Sequence, residues 1–259
     1  MLKKLFPLFA YLKYWVIKED SYSLQSPLVF KIYQDLIEFI KSPNLSVGEI
    51  EDYRKTLVDS TKEIEVLDLG AGSKKVNSRK RKIADITKFS TSPKKFALLY
   101  QYFCQLTPAI TVFELGTCVG ITTRYLSQKT KGTLYTFEGS QEIQNVAKPN
   151  SGYENIQFIL GDISETLPII LSKVKGVDFT LIDANHTYFG TLKYFELILE
   201  KVNKNSIIVI GDIHWSKEME KAWEKIKTNP NVKMSMDFYE CGVLFFDSSF
   251  IKSEYILDF

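Results

Sequence analysis

The feature that most constrains the fold is an alternation of short apolar runs with helical stretches, beginning near Ile110. The runs cover residues 110–115, 133–137, 156–160, 177–182 and 206–210. Stretches with helical spacing lie between them, at 121–128, 141–147, 163–174 and 188–202. Strands that are continuously apolar and alternate with helices predict a parallel sheet covered on both faces. A further helix at 217–226 precedes two more strand-like runs, 232–239 and 242–246. The short link between them, Glu240-Cys241, predicts an antiparallel hairpin closing the sheet. The expected fold is therefore α/β: a Rossmann-like, doubly wound, mostly parallel seven-stranded sheet with a C-terminal antiparallel hairpin and an N-terminal helical extension. The expected division is a helical extension with a lid-like basic loop at 1–107 and the binding domain at 108–259.

A doubly wound sheet binds its ligand at the carboxyl ends of its strands. Those positions carry a series of chemically capable residues. The first strand ends in Glu114-Leu-Gly116-Thr117-Cys-Val-Gly120, whose glycines allow a sharp turn and close approach of a ligand. The second ends in Glu138-Gly139, where a carboxylate can accept from a ribose diol. The third is followed by Gly161-Asp162-Ile163. Asp162 suits an exocyclic purine amine, and equally the cap of the next helix. The fourth ends in Asp183-Ala-Asn185-His186-Thr-Tyr188 and the fifth in Gly211-Asp212-Ile213-His214-Trp215. The chain has two histidines, and both fall in loops after neighbouring strands.

This order resembles the class I S-adenosylmethionine-dependent methyltransferases over roughly residues 108–246. ELGTCVGITT is similar to the first motif of the catechol and caffeoyl-coenzyme A type O-methyltransferases. DFTLIDANHTY resembles the motif that follows strand four in small-molecule methyltransferases. VIGDIHWSKEMEKAW looks like the segment after strand five in an uncharacterised bacterial methyltransferase group. The resemblance implies S-adenosylmethionine as cofactor. Gly116 and Gly120 would hold the methionine moiety, Glu138 the ribose hydroxyls and Asp162 the adenine amine. Asp183 would sit near the sulfonium and the acceptor. Glu114, Thr117, Gly139 and Ile163 complete the implied cofactor-binding set. Catechol-type enzymes also bind a divalent cation such as magnesium. Asp183 and Asp212 match two of its ligands, but Ile213 stands where the family has Asn, so Asn185 or His214 would have to replace it. Asp183, His186 and His214 are the expected catalytic residues, for O-methylation of a small-molecule acceptor. The alternatives are a non-catalytic Rossmann-like binding protein and an NAD(P)-dependent oxidoreductase. The latter would need glycine at Cys118 and Ile121.

A second glycine-rich segment, Glu65-Val-Leu-Asp68-Leu-Gly70-Ala-Gly72-Ser73, resembles a methyltransferase first motif even more closely, but is rejected as the cofactor site. The basic run that follows, 74–82, is no amphipathic helix, and no acid-terminated strand appears about twenty residues later. The 68–73 segment is read instead as a loop over the ligand mouth. The basic run is read as a solvated loop or a grip on an acidic substrate.

Residues 1–18 show helical apolar spacing at Leu5, Leu8, Leu12, Trp15 and Val16, with lysines at 3, 4, 13 and 18. The stretch is short for a transmembrane span and contains Pro7. It is expected to cover the main domain or a twin subunit in a homodimer, with peripheral membrane contact as the other reading. Lys+Arg 33 against Asp+Glu 31 gives a net charge of +2, which makes no case for nucleic acid. Three unpatterned cysteines, Cys104, Cys118 and Cys241, fit a reducing, cytoplasmic setting.

Overall fold

The structure is a computed structural model that describes residues 2–42, 46–66, 80–148 and 152–259. Three helices open the chain: α1 (Leu2–Ile17), α2 (Pro27–Lys41) and α3 (Gly48–Val58). Ser26 caps α2 by accepting from the Val29 N–H, and Pro27 occupies its first turn. Next come β1 (Glu63–Glu65), β2 (Lys80–Lys82), α4 (Ile83–Ser90) and α5 (Lys94–Gln105).

The alternating part follows as β3 (Thr111–Leu115), α6 (Ile121–Ser127), β4 (Thr133–Glu138), α7 (Gln141–Ala147), β5 (Ile156–Leu160) and α8 (Ile163–Leu171). It continues with β6 (Phe179–Ile182), α9 (Tyr188–Leu199), β7 (Ile207–Gly211) and α10 (Lys217–Lys227). The chain closes with β8 (Met234–Asp237), β9 (Cys241–Phe245) and β10 (Ser253–Ile256).

The main sheet has the order β10-β8-β9-β7-β6-β3-β4-β5. The strands from β7 to β5 are parallel, and β9 is antiparallel to both β7 and β8. The seven expected strands and the hairpin are all present. An eighth was not expected: β10 pairs parallel to β8 at the sheet edge. Strand order reverses between β3 and β6, which makes that gap the topological switch point.

Alternate residues of each central strand feed two cores. Val112, Leu181, Ile207, Val209 and Val243 pack with Val29 and Leu36 of α2 and Leu99 and Phe103 of α5. Their neighbours Phe113, Ile182, Ile208, Ile210 and Leu244 pack with Leu167 of α8, Phe195 of α9 and Trp223 of α10. Burial on both faces is why these strands read as unbroken apolar runs. A third cluster joins Ile50 of α3, Ile64 of β1 and Ile86 of α4 to Val119, Ile121 and Tyr125 around α6.

The structure corrects two expectations about the first half of the chain. β1 and β2 form a separate two-stranded antiparallel sheet whose register sets Glu63 opposite Lys82 and Glu65 opposite Lys80. So residues 80–82 of the basic run are a strand facing an acidic one, not a loop, and β1 lies outside the main sheet. The remainder of that run and the 68–73 segment lie outside the described residues. The second correction concerns α1. Leu5, Leu8, Leu12, Trp15 and Val16 do not cover the main domain. They are exposed, and the opposite side, Ala10 and Tyr14, is buried.

Candidate active site at the carboxyl edge

The site begins with the turn after β3. Gly116 (φ +110°) hands the chain from strand to loop, and a Cβ there would lie 2.2 Å from the Asp183 carbonyl oxygen. Only glycine lets the two strand ends come this close. The Gly116 and Thr117 N–H groups both donate to the Phe137 carbonyl oxygen of β4. Cys118 follows at φ 49°, and Gly120 at φ 75° caps α6. Glu138, at the end of β4, ties this loop down by accepting from the Cys118 N–H at 3.0 Å and the Ser140 N–H at 2.9 Å.

Beneath the loop sits a buried polar network. Glu114 Oε2 accepts from Thr123 and Thr136, each at 2.6 Å, and the Thr117 and Thr136 hydroxyls are 2.6 Å apart. Among the described residues, Glu114 Oε1 finds no hydrogen-bond partner. Burial pushes the Glu114 carboxyl up to about 8, and the nearby charges of Asp183 and Glu138 add to the shift. Asp162, after β5, caps α8 by accepting from the Ser164 N–H at 2.7 Å. Ile163 is the first residue of that helix, and Gly139 is half-buried beside Glu138.

The loops after β6 and β7 carry the most reactive constellation. The Asp183 carboxylate lies across the end of β7: a Cβ on Gly211 would be 2.4 Å from its Oδ1. His186 Nε2 lies 3.2 Å from Asp183 Oδ1 and 3.5 Å from Asp212 Oδ2. One ligand atom from each of the three falls within 4.8 Å of the other two. The Trp215 ring stands 5.7 Å from the imidazole. Asn185, His186 and Asp212 all have positive φ (67°, 48° and 55°). Non-glycine residues held there store backbone strain, which collects at functional sites.

Two expected partners do not join the cluster. Asn185 turns toward α9, donating to the Tyr194 hydroxyl at 3.3 Å and accepting from Thr187. His214 pairs its Nε2 with Asp237 Oδ2 at 2.8 Å and stacks on Tyr239 at 5.4 Å. His186 therefore stands where Asn185 or His214 was expected to complete the ligand set. No motif or spacing in the sequence points to Tyr100. It lies buried in α5, before β3, and its hydroxyl is held well above its ordinary value by burial, to which the nearby Asp183 and Asp212 carboxylates add.

Residues 113–213 match the model of a family described as "Methyltransferase domain". Comparison with curated protein sequences gives no match. Among solved structures, the chain is similar to a methyltransferase from Podospora anserina bound to S-adenosylhomocysteine, at 12% identity and a TM-score of 0.59 over 86% of this chain and 97% of that one. It is also similar to an O-methyltransferase from Bacillus cereus in complex with S-adenosylhomocysteine, at 16% identity and 0.55 over 82% and 96%. A third is an O-methyltransferase of tomaymycin synthesis from Streptomyces achromogenes, at 13% and 0.52 over 62% and 83%. Residues 113–213 thus match a methyltransferase-domain model, and the chain shares the Rossmann-like fold of the methyltransferase structures it is similar to.

Proposed function

We propose that the protein transfers a methyl group from S-adenosylmethionine to a hydroxyl of a small molecule. The observation that carries the reading is the convergence of Asp183, His186 and Asp212 at the switch point, beside the glycine turn. The cofactor's sulfonium and ammonium are cationic, and Glu138 and Asp183 bring carboxylates to the two sides of this turn. Gly116 and Gly120 shape the turn for the methionine moiety, Glu138 faces the ribose, and Asp162 stands at the adenine end. In this reading residues 108–259 hold the cofactor and 1–107 border the acceptor.

The transfer is an in-line displacement: the oxygen–carbon bond forms as the carbon–sulfur bond breaks, and sulfur keeps the electron pair. The leaving group is already activated, so alignment supplies most of the rate. The hydroxyl proton goes to His186, whose charged form is stabilised by Asp183 and Asp212 at 3.2 and 3.5 Å. The same three side chains also fit a divalent cation. Two carboxylates and an imidazole suit manganese, iron or zinc better than magnesium, which prefers oxygen ligands. Such an ion would lower the pKa of the acceptor hydroxyl.

The test is calorimetric titration with S-adenosylmethionine and S-adenosylhomocysteine, with NADH as control. Micromolar binding of both sulfur ligands is expected, weakened at least tenfold in Glu138→Gln and Glu138→Ala. Folded protein that binds NADH instead, or neither sulfur ligand, would overturn the reading. Chelator inactivation reversed by manganese rather than magnesium would assign the cluster to a metal. Indifference to chelators would leave His186 as the proton acceptor.

A further inference from the structure

Helix α1 presents an apolar stripe to the outside. Leu8, Phe9, Leu12, Trp15 (59% exposed) and Val16 (73% exposed) recur at helical spacing on one side. Singly exposed apolar residues are ordinary, but a continuous stripe with two aromatic rings marks a contact surface. The other side of the helix is firmly seated. Tyr14 donates to the Leu257 carbonyl oxygen at 2.6 Å, and Tyr239 donates to the Pro7 carbonyl oxygen at 2.7 Å. The Tyr11 and Tyr14 rings lie 5.1 and 5.3 Å from the Tyr239 ring.

That seat fixes where the stripe lies. Tyr239 belongs to the turn between β8 and β9, and the carbonyl oxygen of its neighbour Glu240 accepts from the Asp212 N–H. So α1 is anchored at the end of the sheet where Asp183, His186 and Asp212 converge. Phe189, 82% exposed in the first turn of α9, adds an apolar side chain at that same end.

Charge selects the occupant. The helix reads LKKLFPLFAYLKYWVI, with Lys3, Lys4 and Lys13 and no acidic residue. A two-fold pairing of this stripe with a second copy would set two basic helices, each with an exposed Lys13, against each other, and the helix supplies no acid to offset them. An anionic lipid surface matches every feature at once. The stripe enters the headgroup boundary, the aromatic rings sit at the interface, and the ammonium groups meet phosphates. Among the described residues no helix is long and apolar enough to cross a membrane. We propose that α1 lies flat on an anionic lipid surface and holds the carboxyl-edge site beside it, independently of the activity proposed above.

The experiment is flotation of the full chain with vesicles of phosphatidylcholine alone or containing one-third phosphatidylglycerol. The chain is expected to float with the anionic vesicles, to be released by salt, and to bind phosphatidylcholine at least tenfold more weakly. Leu8→Glu/Trp15→Glu should lose at least tenfold in partitioning, and Lys13→Glu about fivefold or more. These positions are exposed, so melting curves and near-ultraviolet dichroism should be unchanged. Lys13→Glu, which leaves the apolar stripe intact, keeps the test valid should the double variant unfold. Failure to float with anionic vesicles overturns the proposal. So does a dimer at sedimentation equilibrium that the double variant dissociates, because it would assign the stripe to a second copy.

Discussion

The loops after β6 and β7 each carry one histidine beside carboxylates, yet they treat it oppositely. The His186 side chain keeps 25% of its surface exposed and stands between Asp183 and Asp212, both of them also partly open. The His214 side chain keeps 12%, is gripped by the nearly buried Asp237 and lies flat on Tyr239. Asp237 is itself engaged, accepting from the Tyr239 N–H at 2.8 Å. A histidine whose acidic partner is already spent on the backbone fixes a loop. A histidine between two accessible carboxylates remains available to a ligand. The same distinction divides the acids: Glu114 is fully buried and held by Thr123 and Thr136, while Asp183 and Asp212 are partly exposed.

The largest effect should come from exchanging the two histidines' fates. His186→Ala is expected to lower kcat at least about 100-fold, the usual weight of a positioned proton acceptor. Its stability should stay within about 0.5 kcal/mol of the parent. Single-turnover kinetics and urea unfolding measure the two quantities. A variant that keeps full turnover would erase the contrast.

Glu114 sharpens the contrast from the buried side. Its folded pKa of about 8 lies above the ordinary 4.5. The folded state therefore holds more protons than the unfolded chain between those values. Its stability is greatest below that window and falls as pH rises through it. Glu114→Gln removes this dependence. The variant should gain on the parent by on the order of a few kcal/mol between pH ~5 and ~8.5. Parallel unfolding curves across that range would show that the carboxyl is ionised and otherwise compensated.

His214→Ala should mirror His186→Ala. Removing the imidazole leaves the Asp237 carboxylate without its partner, at a cost of about 1–3 kcal/mol. Turnover should fall less than tenfold. A large loss of turnover with unchanged stability would move His214 into the chemistry.

The contrast between the loops was not readable before folding, although most of the fold was. The central strands announce themselves because burial on both faces demands unbroken apolar runs. The run at 206–210 becomes Ile207–Gly211, and the one at 110–115 becomes Thr111–Leu115. β10 escaped notice because Ser-Glu-Tyr-Ile at a sheet edge is half polar, and its partner strand lies well before it in the chain. The helical period of α1 reveals a stripe but not which side the protein covers. Tyr14 settles that through a bond to Leu257, at the far end of the chain. The strand-end acids and histidines were legible as a set, since loops at a switch point are where a ligand is met. What separates His186 from His214 is Asp237, placed by the β8–β9 turn and distant in sequence.

Asp162 offers the smallest effect and the finest discrimination. Its side chain caps α8 from the Ser164 N–H, and it also stands where the adenine amine of a bound cofactor is expected. Asp162→Ala should cost about 1 kcal/mol of stability through the lost cap. Asp162→Ser keeps a capping oxygen but shortens the side chain, so its stability should match the parent within a few tenths of a kcal/mol. If Asp162 serves only the helix, the serine variant binds S-adenosylmethionine as tightly as the parent. If it also receives the adenine amine, serine restores the fold and leaves affinity reduced about fivefold, the weight of one modest hydrogen bond. Calorimetry on the serine variant alone therefore decides whether this carboxylate belongs with Asp183, open to the ligand, or with Asp237, committed to the fold.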